Sequence, residues 1–349
     1  MTVFPVIIGP TASGKSGLAL ELARRLSTQG RAGEIVSADS MQIYRGLDIG
    51  SAKAKPREQR AAPHHLIDIC EPTESFSVDA WLRAAERCIA EIRSRGGLPI
   101  VVGGTHLYIK ALLEGLFEGP AADPAIRSAL QAMDPRTLRN ELERVDPAAA
   151  ARIHPNDSRR TIRALEVFRQ TGRPISELQQ QWDAGRTRSD ALLVTLEWDT
   201  AALAKRINAR VKGMVQRGLV EEVRGLLEAG RLGSQAGEGI GYKQIAEAME
   251  AGETMEDAIE RVKIESRRLA KNQRTWIRRL RAERIEAPLD AGEGFFAEHR
   301  GRPLRIGFDP EAMGVEQMAQ VVADHLLAMD RAGWGEGEGE SLRSSDRTE

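Results

Sequence analysis

Cysteine is nearly absent: only Cys70 and Cys88 occur in 349 residues. They form neither a CxxC pair nor a Cys/His cluster, which argues against a disulfide framework and a zinc knuckle. The histidines His64, His65 and His154 also lack ligand spacing, so structural or hydrogen-bonded roles are expected for them. No apolar stretch approaches the roughly 20 residues of a membrane helix. The opening run MTVFPVII is short and breaks into a glycine-rich loop, so it reads as a buried strand rather than a leader. A cytoplasmic protein without a membrane partner is expected. Net charge is also missing: the formal balance is −1 with a pI near 6.7, so overall charge does not announce a nucleic-acid partner as a strongly basic domain would. No internal repeat is evident. The chain lacks an NKxD-type guanine motif and an apolar run ending in Asp of the usual NTPase kind, which disfavours an ordinary GTPase or motor ATPase.

With 41% hydrophobic residues, the chain is long enough for one large domain with an insertion, or for two domains. Val3 to Ile8 is a β-rich run ending at Gly9, and Leu18, Leu22 and Leu26 then repeat at helical spacing. Glu34 to Ser37 and Leu98 to Val102 are further strand candidates, the latter closed by Gly103-Gly104 and followed by a helical pattern. Strands alternating with helices imply a parallel sheet with ligand chemistry at the strand C-terminal ends. From Gly119 the pattern becomes wholly helical, punctuated by Pro120, Pro124, Pro135, Pro147, Pro155 and Pro174. Ala191 to Trp198 restores a β-like run, and a last helical stretch extends to about Arg284. The fold class expected is α/β: a P-loop NTPase-like parallel sheet flanked by helices, with an all-helical insertion domain. The segments are 1–118 (core), 119–190 (insertion), 191–333 (second part of the core, mostly helical) and 334–349, a low-complexity tail expected to be disordered.

Gly9-Pro10-Thr11-Ala12-Ser13-Gly14-Lys15-Ser16 matches GxxxxGK[ST] at every fixed position, after a strand and before a helix. Such a loop turns successive N–H groups inward and adds the positive end of the following helix, so main chain holds a diphosphate. Lys15 adds a point charge, and the Ser16 hydroxyl suits Mg2+. The loop alone leaves open whether the diphosphate belongs to a nucleotide or to another molecule.

Charge is unevenly distributed. Arg261 to Arg284 holds ten Lys/Arg against two Glu, and Arg152 to Arg173 holds six Arg against Asp157 and Glu166. Either stretch fits a phosphate-binding surface or a solvated helix face; in the first, Val262, Leu269, Trp276 and Leu280 are expected to face a core.

Several words follow in order: Ser37-Ala38-Asp39-Ser40-Met41-Gln42-Ile43-Tyr44-Arg45, Asp48-Ile49-Gly50-Ser51-Ala52-Lys53, Pro63-His64-His65-Leu66-Ile67-Asp68, and Val102-Gly103-Gly104-Thr105 with Tyr108. Ala122-Asp123-Pro124 with Arg127, Arg152-Ile153-His154-Pro155-Asn156-Asp157 with Arg159 to Arg163, Gly241-Tyr242-Lys243-Gln244 and Ala270-Lys271-Asn272-Gln273 with Thr275-Trp276 come after. Over roughly residues 4 to 285 the chain closely resembles the tRNA dimethylallyltransferase (isopentenyltransferase) family. It departs from the family's usual Lys-Arg-Gln at Lys271-Asn272-Gln273, and an extra segment follows Arg284.

The resemblance implies transfer of a dimethylallyl group from dimethylallyl diphosphate to N6 of the adenosine at position 37, 3′ of the anticodon, in tRNAs reading codons that begin with U. Its implied partners are that diphosphate and the tRNA anticodon stem-loop, with Mg2+ as cofactor and a monomer as the expected state. Asp39 is the candidate base for the adenine amine, against the plain alternative that it caps a turn. Thr105 is similar to the family threonine that reaches the diphosphate's bridging oxygen; by position it also fits a helix N-cap. Lys15 completes the catalytic set, and by resemblance Arg210 joins Gly9 to Ser16 on the diphosphate. The implied tRNA contacts are Asp39, Ser40, Met41, Gln42, Thr105, Arg127, Arg159, Arg160, Thr161, Ile162 and Arg163. A P-loop kinase for a small molecule, or an isopentenyltransferase acting on free adenine nucleotides, would use the same loop.

Overall fold

A computed structural model describes residues 2–116, 119–179, 188–280, 282–284 and 303–332. The expected tail at 334–349 lies outside them. Chain contacts divide the protein into two compact units, Met1–Leu113 with Thr187–Glu349, and Glu114–Arg186.

The first unit is built on strands β1 (Phe4–Ile8), β2 (Gly33–Ala38), β3 (His64–His65), β4 (Leu98–Gly103), β5 (Ala191–Leu196), β6 (Glu283–Arg284) and β7 (Leu304–Phe308). They form one sheet in the order β3-β2-β4-β1-β5-β7-β6, and every pairing is parallel. All five residues of β1 and all six of β5 are buried. Strands covered on both faces need continuous apolar runs rather than alternation, which is what FPVII and ALLVTL supply. Helix α1 (Lys15–Thr28) turns Leu18, Leu22 and Leu26 inward. Helix α2 (Pro56–Ala61) is short, and α3 (Val78–Ser94), capped by Ser77 on the Ala80 N–H, buries Trp81, Ala85, Ile89 and Ile92. Helix α4 (His106–Glu114) follows β4. The Trp81 indole stacks on Tyr108 at 4.5 Å and donates to Ser37 C=O at 3.0 Å, tying β2 to the helix layer.

Gly103 closes β4 against β2. A β-carbon there would stand 2.1 Å from Ala38 O, a backbone atom that yields only if the strands part. Gly103→Ala is therefore expected to cost about 3 kcal/mol or more. A denaturant midpoint shows this as a large drop at unchanged m; an unchanged midpoint would contradict the packing.

In the second unit three helix starts follow one rule. Asp123, Asp134 and Asp146 are N-caps, each followed by a proline at the first helical position of α5 (Pro124–Gln131), α6 (Pro135–Val145) and α7 (Pro147–Arg152). Proline lacks only an N–H that the first turn leaves orphaned anyway, and an Asp cap is worth about 1 kcal/mol. Asp157 caps α8 (Ser158–Thr171), and α9 (Ile175–Leu178) follows. Leu130, Leu138, Leu142, Leu165 and Ile175 form this unit's own core.

After β5 come α10 (Thr200–Gln216), α11 (Leu219–Glu228), α12 (Tyr242–Ala251) and α13 (Met255–Arg279). This half is mostly helical, but the last helical stretch stops short of the expected Arg284. The helical stretch ends at Arg279, and the chain then adds β7 to the sheet beside β5 and packs α14 (Val315–Arg331) on α1. Arg25 bonds Gln320 and Arg31 pairs with Asp330 across that contact. Of the residues expected to face a core in this stretch, Val262 does, Trp276 and Leu280 are only partly covered, and Leu269 lines a cavity instead.

Candidate active site

The C-terminal ends of β1, β2 and β4 open on a cavity of about 1110 Å3. Thr11 to Ser16, Asp39, Gln42 and Arg210 all line it. Gly14 takes a left-handed backbone (φ 99°) at the N-cap of α1, a conformation that favours glycine.

Lys15 Nζ donates to Gly9 C=O at 2.9 Å and Pro10 C=O at 2.8 Å. Burial pushes its ammonium down to about 7; Arg210 adds to that shift and Asp39 opposes it. Burial likewise lowers Arg210, with Asp39 opposing. One carboxylate thus steadies two buried cations.

The plain alternative for Asp39 is half right. Its Oδ1 accepts from Met41 N–H at 2.9 Å and, at a longer 3.4 Å, from Gln42 N–H, as an Asp capping a turn does. Both donors reach Oδ1, and among the described residues no hydrogen bond is made to Oδ2. The cap fixes the side chain while leaving one carboxylate oxygen available.

Thr105 C=O accepts the first helical bonds of α4, from Tyr108 and Ile109. Its hydroxyl, however, accepts from Ser40 N–H at 2.9 Å and lies 3.3 Å from Ser40 Oγ. Thr105 is therefore tied to the loop after β2, although it does not itself line the cavity.

That loop is anchored from three sides. Gln42 receives Ser37 Oγ–H at 3.1 Å and donates to Ser51 C=O at 3.3 Å. The buried Lys53 ammonium donates to Tyr44 C=O, Asp48 and Asp68 at 2.8, 2.6 and 2.5 Å. Glu222, on α11, accepts from the N–H groups of Asp48, Ile49 and Gly50 and from Tyr242 Oη–H at 2.6 Å. Burial and the Glu222 charge together push the Tyr242 phenol far up. A β-carbon on Gly50 would meet the Tyr242 ring at 2.5 Å, so that glycine is required by close approach. Ile43, Tyr44 and Leu47 bury against α11 and α12. Met41 packs at the edge of this second core.

Gln273 is a site residue that sequence reasoning named without giving it a role. It is buried on α13, where its Oε1 accepts from Thr11 N–H and its Nε2–H donates to Gly104 C=O, both at 2.8 Å. It bridges the phosphate loop to the end of β4. The signal available was an uncharged polar residue three positions after Ala270, on the buried stripe of an otherwise basic helix; such a group needs a partner. Asn272, where the chain departs from the family's usual arginine, is exposed.

In the helical unit, Glu166 is fully buried. Burial opposes its charge, but bonds from Arg127, Arg163 and Asp123 N–H outweigh that and hold the carboxyl below the usual range. Arg127 and Arg163 are thus fixed in place, while Arg159 and Arg160 are exposed. Thr161 departs from expectation. It is 3% exposed and its side chain turns inward, because its position on α8 falls on the stripe with Ala164 and Leu165. Ile162 packs partly on the same core. His65 bonds Glu34, His64 bonds Ala62 C=O, and His154 accepts from Asn156 N–H.

Among the described residues no helix is long and apolar enough to cross a membrane, and no cluster of three His, Cys, Asp or Glu could hold a metal.

A family model described as IPP transferase matches residues 42–280. The chain is 46% identical over 293 residues to a tRNA dimethylallyltransferase of Geobacillus kaustophilus strain HTA426, covering 82% of this chain and 91% of the relative. With one from Geobacter sulfurreducens the identity is again 46%, over 80% and 89% of the two chains. Among solved structures, the full-length tRNA isopentenylpyrophosphate transferase of Bacillus halodurans superposes with a TM-score of 0.63 at 35% identity, covering 95% of this chain and 99% of that one. A eukaryotic dimethylallyltransferase acting on tRNA gives 0.71 at 26% identity, over 92% and 78%. A phosphate loop facing an anchored Asp39, and relatives nearly half identical along most of both lengths, place this chain in the IPP transferase family.

Proposed function

We propose that this chain transfers a dimethylallyl group from dimethylallyl diphosphate to N6 of the adenosine at tRNA position 37, in tRNAs reading codons that begin with U. The observation that carries this reading is Asp39, which shares one cavity with Lys15 and Arg210 and whose charge acts on both.

The phosphate loop holds the diphosphate by main-chain N–H groups, with Lys15 and Arg210 taking up negative charge as the carbon–oxygen bond breaks. An adenine amine is a weak nucleophile because its lone pair is delocalised into the ring. Asp39 Oδ2 accepts its proton as the new carbon–nitrogen bond forms. Thr105 holds Ser40, and with it the chain segment next to the base. The base enters splayed out of its RNA loop, as enzymes acting on bases require. Arg127, Arg159, Arg160 and Arg163 suit RNA phosphates.

The residues present fit Mg2+. Ser16 offers a hard oxygen at the cavity wall and would hold the ion there, with the diphosphate supplying further oxygens, as Mg2+ sites with phosphate ligands do. When bound, it neutralises charge on the leaving diphosphate.

Incubation with labelled dimethylallyl diphosphate, Mg2+ and either tRNA, AMP or ATP tests the reading. Label is expected in tRNA alone. Label in the free nucleotide would replace the acceptor, and ATP consumption without prenyl transfer would select a kinase.

A further inference from the structure

A loop that turns N–H groups toward an anion turns the carbonyls of the same peptides away from it, and those carbonyls need donors. Two arrive from far along the chain. Trp198 Nε1–H donates to Ser13 C=O at 2.9 Å, and Arg206 Nε–H donates to Ala12 C=O at 3.0 Å. The donors are locked to each other, with the Arg206 guanidinium carbon 4.2 Å from the Trp198 ring centroid, a cation–π distance. Beneath them Ala12 packs with Leu203, Ile207 and Ala270. Ala12 has φ 65°, the left-handed region that a β-carbon disfavours. A non-glycine residue stays there only when its surroundings over-determine it.

We infer that Trp198 and Arg206 are positioning residues for the diphosphate: they hold the Ser13–Gly14 peptide in the anion-binding orientation, and brace the turn before it, before a ligand arrives. The Ser13 carbonyl belongs to the same peptide as the Gly14 N–H, and a hydrogen bond to that carbonyl makes the N–H at its other end a better donor. Ser13 N–H closes the turn on Pro10 C=O at 3.2 Å, so the Arg206 bond stiffens the same turn. Trp198 does not line the cavity and touches no reacting atom. The nature of the diphosphate rests on the function proposed above; the clamp does not.

Calorimetric titration with inorganic pyrophosphate and Mg2+ tests the clamp, using Trp198→Phe, which keeps an aromatic ring under Arg206 and removes the N–H together with the five-membered ring that carries it. Pyrophosphate affinity is expected to fall about tenfold, the upper end for one hydrogen bond. In turnover the KM for the prenyl donor rises by a similar factor, while the KM for tRNA and the thermal midpoint stay at the unsubstituted values. Arg206→Met weakens pyrophosphate similarly, Arg206→Lys recovers part of the loss, and the double variant falls short of the product of the singles because both act on one loop. A folded Trp198→Phe protein with unchanged pyrophosphate affinity overturns the inference, as does a loss appearing equally in the KM for tRNA. Arg206 itself lines the cavity, so should Trp198→Phe not fold, Trp198→Tyr, which also keeps a ring under Arg206 and lacks the indole N–H, gives the same comparison. If the unsubstituted protein binds pyrophosphate but not dimethylallyl diphosphate, the donor assignment fails while the clamp is still read from the variants.

Discussion

Asp39→Asn is expected to lower the rate of prenyl transfer in a single turnover by about 10²- to 10⁴-fold, the range for loss of a positioned general base. That corresponds to about 3 to 5 kcal/mol of transition-state stabilisation. The substitution is well controlled. An asparagine oxygen still accepts from Met41 N–H, where Asp39 Oδ1 now does at 2.9 Å, so the turn and the Ser40 contact to Thr105 persist. Affinity for tRNA should change little. Full transfer activity in a folded Asp39→Asn protein would show that the carboxylate is only a cap, and another acceptor for the amine proton would be required.

The second large effect concerns Lys15 and pH. In the ligand-free cavity its ammonium is brought down to about 7, chiefly by burial, whereas a bound diphosphate favours the charged form and raises it again. Below pH 7 Lys15 is protonated in both states, and its contribution to binding is independent of pH. Above pH 7 the free protein loses the proton and binding must restore it. Affinity then falls, by up to about tenfold per pH unit, until the bound-state value is reached. Calorimetry in buffers of different ionisation enthalpy should find Lys15-linked proton uptake near zero at pH 6 and approaching one at pH 9. Lys15→Met should weaken binding by about 10²- to 10³-fold, as for loss of one charged donor in an anion site. Uptake that persists in Lys15→Met belongs to the diphosphate itself. Equal uptake in the two proteins would show that Lys15 is already charged in the empty site. The two experiments are linked: because Asp39 opposes the shift on Lys15, Asp39→Asn should move the midpoint of uptake to lower pH.

What the sequence determined by itself was local. The phosphate loop is contiguous, so its chemistry can be read wherever a strand precedes it and a helix follows. Strands buried on both faces announce themselves as apolar runs, and the Asp-Pro pairs at 123, 134 and 146 carry their own start signals for α5 to α7. Past Arg284 the sequence says less, because LRIGF is a short run that periodicity cannot separate from a helix segment. Only its pairing with β5 makes it a strand. Tertiary structure alone decided what holds the site in shape. Gln273 reaches Thr11 from 262 positions away, Trp198 and Arg206 reach the loop from 185 and 194, and Glu222 caps a turn 174 residues earlier. These are single polar side chains that satisfy backbone groups left over by a strained loop. A hydrogen bond of that kind leaves no periodicity in the sequence, because its partner is set by which loop the fold brings against the side chain and not by what lies beside it in the chain.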